Sequence, residues 1–357
     1  MSRARRVTLR LSLACDNRCI FCAQRGLTDD VSAAADLEAR LAALRAEADE
    51  ITFVGGEPTL QDALPAAVAA ARAAGFRAVG VQTNGRRLAD VAFAERLIAA
   101  GVSDVHLSIH AAGAPAHDYL TGVDGSWRAA LAGMAAVRAL GATVVVTTVL
   151  TRSNFRGLTE LPPLLAARGA AAWHVAVPCV AGAAAAGFDR VVPRLGLAIP
   201  FALHALDAAV RRGLPAFISG APLCALGPFS ARAIAPEPDR AGAFGAACDG
   251  CAARPACPGV DPAYLARWNG DELAPRDAPP AAAEAALARL FVGVGEAAPA
   301  EIPAPASAPD SGPRRLPVLG KAQPARTEVT AGTPKRSGEA LREILPDLFA
   351  PDQSAEK

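Results

Sequence analysis

Net charge is almost absent from this chain. Its 36 lysines and arginines against 35 aspartates and glutamates leave a formal charge of +1. That excludes a broad polyanion-binding channel or a basic membrane face and leaves room only for local arginine patches. Aromatic side chains are scarce too, 5% of 357 residues, and alanine inflates the 52% hydrophobic fraction. Long apolar runs are missing, because charges and glycines interrupt the alanine-rich stretches, so the sequence predicts no membrane span. The opening "MSRARRVTLRLSLAC" has polar residues within its short apolar run and reaches a cysteine at once. This leaves no room for a signal peptide's apolar region and cleavage site, and it reads as the first strand of a soluble, cytoplasmic protein.

Cysteine, by contrast, occurs eight times. Without an export signal, its clustering favours metal binding over disulfides. Cys15, Cys19 and Cys22 fall inside "LACDNRCIFCAQRG"; Cys224, Cys248, Cys251 and Cys257 form a second set, and Cys179 stands outside both.

Strands and helices alternate over the first half of the chain. "VTLRLSLA", "EITFVGG", "FRAVGVQTN", "VSDVHLSIHAA", "ATVVVTTVL" and "AAWHVAVP" read as six strands with apolar interiors. Between them, "VSAAADLEARLAALRAEA", with Leu37, Leu41 and Leu44 on one face, is the first of a series of helices. Asp, Asn, His and Gly gather beyond the strand ends, as expected where a parallel α/β barrel or sheet meets its ligands. Residues 1–196 are thus assigned to this unit. Residues 197–296 hold a helix, "AIPFALHALDAAVRRG", and a turn-rich segment with the second cysteine set. Residues 297–337, rich in Pro, Ala, Ser and Thr, read as a flexible linker, and 338–357 as a tail whose "GEALREILPDLF" could dock on the core or on a partner.

Three thiolates at Cys15, Cys19 and Cys22 suit zinc, which would want a fourth donor, or a four-iron cluster with one iron left open. The CxxxCxxC spacing after the first strand, followed by "GGEPT" at residues 55–59, resembles the radical SAM superfamily. That resemblance covers about residues 7–178. It implies a partial (β/α)6 TIM-like barrel, a [4Fe–4S] cluster on the three cysteines, and S-adenosylmethionine (SAM) bound to the fourth iron. It also implies one-electron cleavage of SAM to a 5′-deoxyadenosyl radical that takes a hydrogen atom from substrate, with flavodoxin or ferredoxin as a suitable reductant.

The residues themselves are compatible with that role. Phe21 can shield a cluster or an adenine face, Gly55 and Gly56 allow close backbone approach, Glu57 adds a charged acceptor and Pro58 fixes the turn. Thr83, Asn84, Ser108 and Asn154 stand near strand ends as further cofactor-binding candidates; Ser108 resembles a family position that contacts the cofactor. His110 and Arg152 are the candidates for a direct chemical role, whereas His117 and Asp118 read as loop anchors. Thr148 lies near the fifth strand end, and Ser126 or Gly125 caps the helix that follows.

Cys248, Cys251 and Cys257 in "CDGCAARPACPG", with Cys224 upstream, resemble SPASM or twitch appendages, with too few cysteines for two fully ligated auxiliary clusters. The resemblance implies one second [4Fe–4S] cluster; zinc accepts the same four thiolates. Three functions stay open: oxidative modification of a peptide, dehydrogenation or rearrangement of a small molecule, and a non-catalytic iron–sulfur protein.

Overall fold

The computed structural model describes residues 6–27, 37–234 and 242–279. The first part of the helix expected over 31–48, the 297–337 linker and the 338–357 tail lie outside these residues. Seven strands form one parallel sheet in chain order: β1 (Arg6–Arg10), β2 (Glu50–Val54), β3 (Ala78–Thr83), β4 (Asp104–Ser108), β5 (Thr143–Val149), β6 (Ala172–Ala176) and β7 (Ala216–Ser219). Among the described residues no pairing joins β7 to β1, so the sheet is an open partial barrel. The connecting helices are α1 (Leu37–Glu47), α2 (Leu64–Ala73), α3 (Val91–Ala99), α4 (Ala114–Thr121), α5 (Ser126–Ala139), α6 (Leu161–Ala167), α7 (Gly182–Ala186), α8 (Phe188–Val191) and α9 (Leu195–Val210).

The sheet runs one strand beyond the six expected. Strand β7 has only four residues, and Pro215 and Gly220 bound it. Those turn signals hid it in the segment read as cysteine-rich. Helix α9 is its crossover, burying Ala198, Ile199, Ala202, Ala205, Leu206 and Ala209. The stretch Phe188–Val210 has the length and apolarity of a membrane span, but half of it is buried inside the protein. It breaks between α8 and α9, and it packs as core.

One face of the strands meets the helices. Leu9, Ile51, Phe53, Val79, Val81, Val105, Leu107, Val144, Val146, Trp173 and Val175 are buried there in one apolar cluster. The alternate residues face the other way, and here the expectation of apolar strand interiors fails. Arg6 donates to Glu50 Oε2 at 2.9 Å, Thr52 Oγ1 at 3.1 Å and Asp104 Oδ1 at 2.6 Å. His106 Nε2 lies 2.8 Å from Asp104 Oδ1. Three strand spacings separate β1 from β4, roughly 14 Å in a flat sheet. The direct Arg6–Asp104 contact therefore requires the sheet to curl toward this face. Gly80, on β3 between them, makes the contact sterically possible, since a Cβ there would stand 2.6 Å from Asp104 Oδ1 and 2.8 Å from Arg6 Nη1. Desolvating these charges is costly, and Arg6 offsets part of that cost by pairing with both carboxylates. Hydrogen bonds from His106 and Arg6 outweigh burial and hold the Asp104 carboxyl far below the usual range.

Candidate active site and metal-binding loops

The first cysteine loop follows β1 and crosses the end of β2. Gly56 N–H donates to Ser12 O at 2.7 Å and Glu57 N–H to Ala14 O at 2.8 Å. The two glycines are dictated by this crossing: a Cβ on Gly55 would lie 2.4 Å from Ser12 O, and one on Gly56 2.3 Å from Leu13 O and Ala14 O. The close approach expected at Gly55–Gly56 is thus made by the chain's own cysteine loop.

Glu57 then turns inward. It caps the short 3-10 turn Pro58–Leu60. Its Oε1 accepts from Thr59 N at 3.0 Å, Thr59 Oγ1 at 2.6 Å and Thr83 Oγ1 at 2.6 Å, while Oε2 accepts from Asn84 N at 2.6 Å. Burial pushes this carboxyl above its ordinary range, with the four donors pulling the other way. Glu57 and Thr83 therefore serve first as the joint between the ends of β2 and β3. Asn84 passes the connection on: Nδ2 donates to Asp16 Oδ1 at 2.6 Å, and Asp16 Oδ2 pairs with Arg86 Nη1 at 2.6 Å.

Two further elements hold the loop. Arg18 N–H and Ile20 N–H donate to Thr121 O and Leu120 O at the end of α4, at 2.8 and 3.0 Å. Ala183 N–H, at the start of α7, donates to Cys22 O at 2.9 Å. Neither Asp16, Arg86 nor α4 was singled out from sequence; the "CDN" and "NGRR" polar runs were the available signals.

Phe21 and His110 come together as candidates should, with ring centroids 4.6 Å apart. His110 stacks on His117, whose Nδ1 accepts the His110 N–H at 3.1 Å, and His110 Nδ1 accepts from Val149 N–H at 3.3 Å. Both neutral rings therefore carry their proton on Nε2. Burial, then the neighbouring His117, holds His110 well below the imidazole range, and burial lowers His117 to about 4. His110 can donate a hydrogen bond here but is a poor acid.

Asn154 ties β4 to β5. Its Nδ2 donates to His110 O at 2.9 Å and Val149 O at 2.8 Å, and Oδ1 accepts from Thr151 N at 2.8 Å. Thr148 Oγ1 donates to Ile109 O and accepts from Trp173 Nε1 at 2.9 Å. Ser108 is half-buried at the end of β4. Arg152 stands apart, exposed and donating to Asp189 O. Asp118 anchors α5, accepting from Gly125 N, Ser126 Oγ and Trp127 N at 2.7, 2.8 and 2.8 Å.

The thiols supply the donor chemistry. Cys15 is exposed and Cys19 and Cys22 are half-buried. Burial, then Cys22 and Cys15, pushes Cys19 up to about 12, so binding a metal there must displace its proton. In the second set, Cys224, Cys248, Cys251 and Cys257 line one cavity with Phe244, Ala253 and Leu273. Amides point at its sulfurs: Arg276 N–H to Cys251 Sγ at 3.3 Å, and Leu223 and Gly259 N–H to Cys257 Sγ at 3.4 Å each. Such bonds favour thiolate ligands. The Arg276 amide in particular holds Cys251 below the ordinary thiol range. Among the described residues no three Cys, His, Asp or Glu side chains are close enough to hold a single metal ion.

Parts of the chain are similar to known proteins. An AdoMet-dependent heme synthase of Nitratidesulfovibrio vulgaris is 31% identical over 142 residues, 40% of this chain and 38% of the relative. A probable GTP 3′,8-cyclase of Saccharolobus islandicus is 34% identical over 121 residues, 32% and 39% respectively. The chain thus spans about two-fifths of the length of these curated relatives. Among solved structures, Streptococcus suis SuiB bound to S-adenosylmethionine aligns over 63% of this chain and 52% of its own with a TM-score of 0.52. SuiB bound to its precursor peptide SuiA aligns over 63% and 50%, with a TM-score of 0.51. At 18% identity in both cases, the likeness is one of fold. The sequence profile of the Radical SAM superfamily matches residues 9–159. The matched segment carries the CxxxCxxC loop, the GGEP turn and strands β2 to β5.

Proposed function

We propose that this chain is a radical SAM enzyme that abstracts hydrogen from a peptide in order to modify it oxidatively. One observation carries the reading: Cys15, Cys19 and Cys22 sit at the C-terminal edge of a curled parallel sheet, on a loop fastened from several sides and crossed directly onto the GGEP turn. Cys15, Cys19 and Cys22 would hold the [4Fe–4S] cluster. When bound, it supplies the electron that cleaves SAM to methionine and a 5′-deoxyadenosyl radical, the species that takes hydrogen from substrate. The protein's own part is to position and to exclude water. Phe21 covers the His110 ring, and Gly55, Gly56, Pro58, Ser108 and the joints made by Glu57, Thr83, Asn84 and Asn154 shape the wall where SAM would lie. Cys224, Cys248, Cys251 and Cys257 would hold a second [4Fe–4S] cluster in a twitch-like appendage; zinc is the competing occupant. Their amide-to-sulfur bonds support a redox or structural centre.

A peptide substrate is supported by the fold shared with SuiB, which is bound to a precursor peptide in one of its structures. A small-molecule substrate is supported by the heme synthase and GTP cyclase relatives. The cytoplasm, where flavodoxin or ferredoxin would supply electrons, suits a chain with two clustered cysteine sets.

The deciding experiment is anaerobic reconstitution with iron and sulfide analysis, followed by dithionite reduction in the presence of SAM. About eight irons per chain and release of 5′-deoxyadenosine are expected, from two clusters of four. Replacing Cys15, Cys19 and Cys22 by alanine should remove four irons and all cleavage. Reconstituted protein that binds SAM and never cleaves it would overturn the enzyme reading, and stoichiometric zinc in fresh protein would overturn the second cluster.

A further inference from the structure

Strand β1 places two arginines on the curled face of the sheet. Residues four apart on a strand share a face, so Arg10 projects to the same side as Arg6, about 13 Å farther along the strand. Their surroundings differ. Arg6 is satisfied by Glu50, Thr52 and Asp104. Arg10 Nε is buried without a hydrogen-bond partner among the described residues. A buried cationic donor without a partner is costly and calls for a ligand.

Its position says which ligand. Arg10 is the last residue of β1, in register with Val54 immediately before Gly55, and five residues before Cys15. It therefore lies at the end of the sheet that carries the cysteine loop. Half-buried Gln82 and Ser108 stand on the same face near that end, and they are neutral. Glu50 and Asp104 are already engaged by Arg6. A single half-buried guanidinium whose Nε has no partner among the described residues matches one carboxylate in charge and in its two-pronged geometry. A phosphate dianion would leave excess negative charge on a face that already holds two carboxylates.

We propose that Arg10 is a specificity-determining residue that binds a carboxylate of the substrate, a peptide's acidic side chain or C-terminus on the reading above. The test uses full-length, anaerobically reconstituted protein with glutarate and inorganic phosphate as probes, each titrated calorimetrically. Glutarate should bind wild type in preference to phosphate and at least tenfold more weakly to Arg10→Gln, with Arg10→Lys between them. Protection of Arg10 by glutarate against phenylglyoxal, mapped by mass spectrometry on wild type, gives the same answer without a variant. Unchanged glutarate binding in Arg10→Gln, tighter binding of phosphate, absence of binding and protection in wild type, or a loss of SAM affinity with glutarate binding intact would each overturn the proposal. SAM cleavage is scored separately, so a protein that binds glutarate through Arg10 yet never cleaves SAM would sink the enzyme reading and leave the carboxylate site standing.

Discussion

The Phe21 ring stands edge-on to the His110 ring, with centroids 4.6 Å apart and planes inclined at 68°. The cysteine loop therefore covers a buried histidine at the end of β4. Because the loop supplies part of the desolvation that keeps this imidazole neutral, its cover and the histidine's proton affinity are linked.

Phe21→Ala should uncover His110 and move its titration back toward the ordinary histidine range. The half-buried ring also packs against the core, so a loss of about 2 kcal/mol is expected. Histidine C–H resonances followed through a pH titration, with urea denaturation alongside, check both. An unmoved His110 titration would show that the loop does not govern its burial.

Replacing Glu57 by glutamine keeps the shape but turns one acceptor into a donor. Every group facing that carboxylate is a donor, so one of them loses its partner. A cost of about 1–3 kcal/mol is expected, together with weaker iron retention, because the same joint fixes Asn84 against Asp16. Denaturation midpoints and iron analysis of the Glu57→Gln protein test this.

Gly56→Ala is the most local probe of the loop crossing. A methyl there would sit 2.3 Å from two carbonyl oxygens of the loop backbone, and backbone cannot rotate out of the way as a side chain can. Folded protein with little or no iron at the first site, and the second site retained, is the expected result of metal analysis. Full iron at both sites would mean that the loop can shift without losing its function.

Acid should destabilise this protein earlier than carboxylate titration alone predicts. Burial lowers His117 to about 4 and His174 to about 3. The unfolded chain binds these protons first, from about pH 6.5, so stability falls as pH drops below that value, until each folded-state pKa is passed. Near pH 5 the loss is roughly 2 kcal/mol for each histidine. Asp104, depressed by its partners, gives up its contribution only in much stronger acid. His117→Asn, whose side-chain oxygen can still accept the His110 N–H, should flatten the slope between pH 6.5 and 4, as measured by denaturation at several pH values.

What the sequence made legible was periodic or covalently local. Six of the strands, the cysteine loop and the GGEP turn are marked by β-branched runs and by spacing within a few residues. Strand β7 was lost because four residues between Pro215 and Gly220 look like turn. The polar face was lost for a different reason: Arg6, Gly80 and Asp104 are up to 98 positions apart, and only curvature brings them together. Glu57 and Asn84 were picked out as ligand-facing because strand-end polar residues often are. In the folded protein Glu57 also joins Thr83 and Asn84 at the end of β3, and Asn84 reaches Asp16 in the cysteine loop, long-range facts that no local pattern encodes.

The fastening of the cysteine loop also bears on how far a distant change can be felt. Bonds from the GGEP turn, from Asn84 and Arg86, from the end of α4 and from the start of α7 all reach the stretch from Ser12 to Cys22. Each takes up part of the entropy cost of fixing that loop, so the mutual placement of the three thiols is a joint property of several elements far apart in the chain.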